Sequence, residues 1–212
     1  MTRKGYKHTE LGEIPEDWEV KTLGEIAEFS KGHGYSKNDL TPNGTPIILY
    51  GSMYTSYKAS IINVSTFCNQ KEKSIISKER EVIVPASGET AEDIAIASNI
   101  EQIGVVIGGD LNIIYPKDNL LPSFLANIIS HGPSHIDLVI RAQGKTVVHL
   151  HNDDLKNIYI PLPPLPEQRA IASVLSDMDA EIEALEAKRN KYTKIKQGMM
   201  QDLLTGRVRL NF

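Results

Sequence analysis

A single cysteine, Cys68, stands in the 212 residues. That excludes a disulfide framework and a thiolate metal site, and it makes a reducing, cytoplasmic setting the expectation. Long apolar runs are missing as well. Stretches such as residues 103–107 are far too short to span a bilayer. The opening MTRKGYKHTE has no apolar signal segment, so no membrane partner is expected. Nor is there an excess of positive charge. The chain carries a formal net charge of −4; residues 1–166 hold 15 Lys and Arg against 20 Asp and Glu, and residues 167–212 hold 8 against 7. An acidic body does not advertise nucleic-acid binding.

Catalytic signatures are absent too. The sequence has no Walker A loop, no dinucleotide glycine fingerprint and no His-Glu-x-x-His pattern. The Gly-His-Gly at 32–34 is too short for a phosphate loop. Ser87 in ASGET lacks the flanks of a nucleophile elbow. His149 and His151 are the one close histidine pair, with no cysteine and no obvious third ligand near them. We therefore expect no metal, no cofactor in this chain and no catalysis. An unrecognised site around Ser87, Glu89 and His149 would be the enzymatic alternative.

What is present begins at residue 161, with PLPPLPEQRAIASVL. From Glu167 to Leu204 there is no proline, and Gly198 is the only glycine. Such a stretch predicts a helix of about 55 Å. Pro164 and Pro166 stand where a first turn tolerates them, and Gly206 stands where a helix stops. Every seventh residue from Ile171 is apolar: Met178, Leu185, Tyr192 and Met199 follow. The column four residues on holds Leu175, Ile182 and Leu203, interrupted by Arg189 and Lys196. Together the columns repeat every 3.5 residues, the seam of a coiled coil.

Before the proline run the pattern changes. Short apolar runs alternate with turn residues at 46–51, 81–88, 94–98, 103–110, 111–116 and 158–163, which read as strands of a mixed or antiparallel sheet. Helical spacing is expected over 23–30, 122–130 and 134–142, with a short helix at NDDLKN. Glycines 108 and 109 with Asp110 read as a tight turn. The class is α+β, with a mixed or antiparallel-sheet domain over 1–163 and a long coiled-coil helix within 164–212.

Three loop stretches carry the residue types that contact phosphates and base edges. SKGHGYSKNDL (30–40) offers Lys31, Tyr35 and Lys37. LYGSMYTSYK (49–58) carries Tyr50, Tyr54, Tyr57 and Lys58 among serines and a threonine, with Tyr54 and Lys58 as the contact candidates. RAQGKTVVHL (141–150) offers Arg141, Gln143 and Lys145. Ser87 and Thr90 join the base-edge candidates. Ordinary solvated turns would show the same composition.

These residues also carry a family resemblance. PLPPLPEQRAIASVL, the heptad helix and the ending MMQDLLTGRVRL resemble the conserved region of the specificity subunits of type I restriction–modification systems. LGEIPEDWEVKTLGEI (11–26) resembles the opening of their target recognition domains. GKTVVHLHNDDLKNIYIPLPPLPEQ (144–168) resembles the closing segment joined to the spacer helix. Family members of full size carry two recognition domains and two spacer helices, and this chain has room for one of each; the resemblance implies a half-size form.

Several expectations follow from the resemblance. The domain would read one half of a split double-stranded DNA target, and the helix would set the distance between halves. Separate modification subunits would bring S-adenosylmethionine, and a restriction subunit would use ATP. Tyr159, Leu162 and Leu165 are candidates for docking the modification subunit. Ile171, Leu175, Met178, Ile182, Leu185, Tyr192 and Met199 are candidates for dimerisation, as an antiparallel homodimer. The competing reading is a coiled-coil adaptor that binds only protein.

Overall fold

Most of the apolar runs form strands in whole or in part, and the one over Leu111–Pro116 organises the chain. In the computed structural model, which describes residues 3–142 and 148–211, it lies inside a five-stranded sheet. The order is Ala27–Lys31, Leu111–Pro116, Val82–Pro85, Ser98–Ile100, Ser60–Ile61. Three pairings are antiparallel, and Ser60–Ile61 joins parallel to Ser98–Ile100. Residues 82–85 and 111–114 are buried without alternation. A strand covered on both faces reads as a continuous apolar run, which is why these were visible in the sequence.

A four-stranded sheet stands beside it, ordered Val106–Ile107, Thr45–Ile48, Phe67–Cys68, Leu40–Thr41. Three two-stranded pairs complete the domain: Tyr6–Thr9 with Gly12–Pro15, Glu19–Thr22 with Tyr159–Leu162, and Ser87–Gly88 with Val148–His149. Ile48, Ile61, Ile83, Ile100, Ile107 and Ile113 form the centre of the core. Helices Pro122–His131 and Pro133–Arg141 each begin with a proline in the first turn, as expected, because that position needs no N–H donor. The class is therefore α+β with mixed, chiefly antiparallel sheets.

Some expectations fail at element ends. The helical spacing over 23–30 yields a helix only at Leu23–Ile26; Ala27–Lys31 is a strand. Glu25 caps the short turn by accepting from the Thr22 N–H at 2.7 Å, and pairing with Leu111–Pro116 then takes over the following residues. The run 94–98 is mostly not strand: Ile94 closes the helix Ala91–Ile94, and pairing starts at Ser98. Tyr50 and Gly51 belong to a helical turn, Tyr50–Met53, rather than to the strand before them.

The long helix runs Leu165–Leu204, 40 residues. It stops on Gly206, whose φ of +71° lets its N–H reach Leu203 O at 3.2 Å while Val208 N–H reaches Asp202 O at 3.1 Å. The chain divides into two units, Met1–Arg169 and Ala170–Phe212, so the helix root belongs to the first. Gln168 shows why. Fully buried, its amide accepts from Leu121 N–H at 2.8 Å and donates to Asn119 O and Pro163 O, each at 2.9 Å. Beside it Trp18 Nε1–H donates to Glu167 at 2.9 Å. The Glu-Gln pair of the sequence motif is thus a bolt between helix root and domain. Among the described residues no helix is long and apolar enough to cross a membrane.

Candidate nucleic-acid interface

Strand polarity gathers the candidate loops. Lys31 ends its strand opposite Asn112, and Leu111 begins its own opposite Pro85. The segments after Lys31, after Pro85 and before Leu111 therefore leave the sheet at one end. Ser87–Gly88 then pairs with Val148–His149, and Tyr54 reaches the same place by donating its hydroxyl to Ser87 O at 2.8 Å.

Glycine makes this convergence possible. A Cβ on Gly32 would stand 1.8 Å from Gly108 O, and one on Gly108 would stand 2.8 Å from Ile48 O. Backbones of three segments touch where side chains would hold them apart. Leu49 and Gly109, next in the chain after Ile48 and Gly108, help line a cleft of about 740 Å³ together with Tyr35, Lys37, Tyr50, Ser52, Thr55 and Asp110.

The sequence candidates fare differently. Lys31, Lys37 and Lys58 are exposed. Tyr35 is not at the surface: it is 9% exposed and packs with Ile47, Cys68 and Val106. Its hydroxyl pairs with Ser74 and accepts from Lys71 N–H, while the Lys71 ammonium lies 4.4 Å from its ring centroid. It holds the loop rather than offering an edge, because the loop 33–39 needs an anchor to 71–74. Lys71 also bonds Asp39 at 2.6 Å; with the Ser36 N–H, this brings the Asp39 carboxyl down to about 2.

Tyr54 keeps its ring exposed but has committed its proton to Ser87 O. Burial, then the nearby Asp93 and Tyr50, push that hydroxyl up to about 12. Thr90 caps the helix Ala91–Ile94 by accepting from Asp93 N–H at 3.0 Å. Ser87 is half-buried in its strand pair. Arg141 is held by Asp137 one helical turn away, at 2.9 Å. Gln143 and Lys145 lie outside the described residues.

At the helix root Leu162 is not a surface residue. It is 6% exposed in the strand paired with Glu19–Thr22, since the proline run is itself partly core. Tyr159 and Leu165 are half-buried. On the helix the contrast is complete: Leu175, Met178, Ile182, Leu185, Tyr192 and Met199 are all exposed, with Ile171 half-buried.

Tyr50, which belongs to the stretch 49–58, is exposed at the cleft, and Asp110, read from the sequence only as part of a turn, stands on its wall. The turn of Asp110 was legible from two glycines; its neighbours across the cleft were not, because they come from residues 35–66.

Comparison with known proteins extends this picture. The family described as the type I restriction modification DNA specificity domain matches residues 15–194. A putative type I restriction enzyme MjaX specificity subunit of Methanocaldococcus jannaschii is 30% identical over 95% of this chain and 49% of its own length. The EcoKI specificity subunit of Escherichia coli is 23% identical over 93% of this chain and 44% of its own. The chain spans about half the length of the curated relatives it matches. Among solved structures, one from a study of type I R-M complex assembly superposes with a TM-score of 0.65 at 19% identity, over 93% of this chain and 48% of that one. The HsdS subunit of Thermoanaerobacter tengcongensis gives 0.59 at 19% identity, over 94% and 47%. At that identity the likeness concerns the fold.

Proposed function

The chain belongs to the type I restriction modification DNA specificity family, and from that premise we propose that it is the DNA-reading, non-catalytic component of a type I complex in the cytoplasm. The observation that carries the proposal is the reach of the family match, which runs through both units, from the loop-bearing domain into the long helix. In this reading the sheet end bearing Lys31, Lys37 and Lys58 meets one half of a split target. Phosphate contacts there set register, and base edges set sequence. Modification subunits bring S-adenosylmethionine, a restriction subunit brings ATP, and the modification subunit docks near Tyr159 and Leu165. A net negative chain fits a component that shares the duplex with partners; its own DNA binding is weak and falls steeply with salt.

The helix supplies the ruler and the pairing device. Its apolar stripe lies open, and an open stripe of that kind marks an interaction surface. Asp177, Asp179, Glu181, Glu183 and Glu186 form an acidic block; Lys188, Arg189, Lys191, Lys194 and Lys196 form a basic one. A parallel pair would stack like on like. An antiparallel pair crossing near Ala187 lays each block along its opposite. Each exposed pair contributes only about 0.2–1 kcal/mol, so the charges choose orientation while Met178, Ile182, Leu185 and their neighbours supply adhesion. Two copies joined this way read a symmetric, interrupted target, because identical domains face opposite strands.

Methylome sequencing of a host that expresses this chain with its modification subunit tests the reading. A recurrent bipartite methylated motif supports it, and the absence of any motif overturns it. Sedimentation at micromolar concentration tests the pairing: a clean monomer removes it.

A further inference from the structure

Most polar side chains of the cleft are already engaged. Ser52 donates to Leu49 O at 2.6 Å, Thr66 to Ile47 O at 2.6 Å, and Ser36 to the Asp39 carboxylate at 3.1 Å. Asp110 differs. It is exposed on the cleft wall, and among the described residues its carboxylate takes part in no ion pair and no hydrogen bond.

Its position is nevertheless well held. The residue sits at φ +57°, in the left-handed region that aspartate tolerates better than most side chains. Its carbonyl accepts from Ala86 N–H at 2.8 Å, and the next carbonyl, Leu111 O, accepts from Gly32 N–H at 2.8 Å. The turn behind it is wedged by the Gly32–Gly108–Ile48 contact. An acceptor-only group is thus fixed at the sheet end that also bears Lys31 and Lys37.

A carboxylate repels phosphate, so it cannot share the work of the lysines. On a duplex it can only be satisfied by donors, and the base-edge donors are exocyclic amino groups: cytosine N4 and adenine N6 in the major groove, guanine N2 in the minor. We propose that Asp110 accepts a hydrogen bond from the exocyclic amino group of one base and so determines one base pair of the half-target. The proposal rests on the reading of the chain as a DNA-specificity component. It deepens that reading by naming a side chain and the group it selects.

The test uses the full chain co-purified with its modification subunit and the target duplex found by methylome sequencing. A panel of duplexes removes one amino group at a time: N4 from cytosine, N6 from adenine, or N2 from guanine as inosine. Affinities are measured for wild type, for Asp110→Gly, which suits the left-handed backbone, and for Asp110→Asn, which keeps an acceptor oxygen. We expect one position at which wild type loses about ten-fold or more while Asp110→Gly loses less than about two-fold, with Asp110→Asn between them. The deleted group at that position identifies the base. At all other positions the three proteins respond alike. A wild-type complex that discriminates, with an Asp110→Gly profile identical at every position, overturns the role of Asp110 alone. A wild-type complex that binds every duplex equally overturns the DNA-specificity reading itself, and this proposal with it.

Discussion

The two units solve opposite problems with the same polymer. In Met1–Arg169 most apolar residues of the described strands are covered, with Ile83, Ile100, Ile107 and Ile113 wholly buried. In the helix, from Ser173 onward, no described side chain is buried, although its apolar residues recur as regularly as those of the domain. The first unit is closed on itself, and the proposed function uses the loops its sheet presents. The second leaves its apolar stripe open, and the proposed function uses that stripe for pairing. A helix with no core of its own depends on local propensity and on whatever packing its apolar face obtains.

That contrast can be broken most forcefully from the core. Ile113→Ala truncates a fully buried side chain on an interior strand and should cost about 2–5 kcal/mol, seen as a lower urea midpoint. The same change at Leu185, 54% exposed in the single chain, should leave the midpoint of the domain where it was. Equal effects at both sites would erase the distinction.

Gln168 sharpens where the boundary falls. It lies on the long helix by secondary structure but in the domain by its contacts. Gln168→Ala strands the part-buried Leu121 N–H and the buried Pro163 O and should cost about 2–3 kcal/mol in the same melt. A neutral result would move the boundary back to the proline run.

The open stripe gives the next effect. Ile182→Ala with Leu185→Ala should weaken self-association at least about ten-fold by sedimentation, with an unchanged far-ultraviolet helix signal per chain at saturating concentration. Unaltered association would mean that the stripe is not the seam.

The smallest effect lies at the loop anchor. Asp39 is held below its usual range by Lys71, so its contribution to stability is present above the unfolded carboxyl value near 4 and fades as pH falls through about 2. Asp39→Asn should therefore be slightly less stable than wild type at pH 7, and the two should converge toward pH 2. A gap that stays constant with pH would show that the ion pair contributes nothing.

Much of this was legible beforehand, and for a common reason. The continuous runs at 82–85 and 111–116, the first-turn prolines 122 and 133, and the stop at Gly206 all act through near neighbours. Misreadings fell where distant partners decide. Ala27–Lys31 carries a helical spacing but pairs with a strand more than eighty residues on. Tyr35 has the composition of a contact residue, yet Ser74 and Lys71 draw it inward. Leu162, a docking candidate from its place in the proline run, is core, while Pro164 and Pro166 of the same run are exposed.

By itself the sequence determined the division into a sheet domain and a long helix, the register of the apolar stripe and the order of the charge blocks. Those depend on periodicity and on proline and glycine chemistry, which operate over a few residues. Only the tertiary structure decided which loops share one end of the sheet, that three backbones meet at Gly32, Gly108 and Ile48, and that on the cleft wall Asp110 stays exposed while Tyr35 is drawn into the core. Such choices follow from strand pairing across long stretches of chain, where a residue's neighbours in space are not its neighbours in sequence.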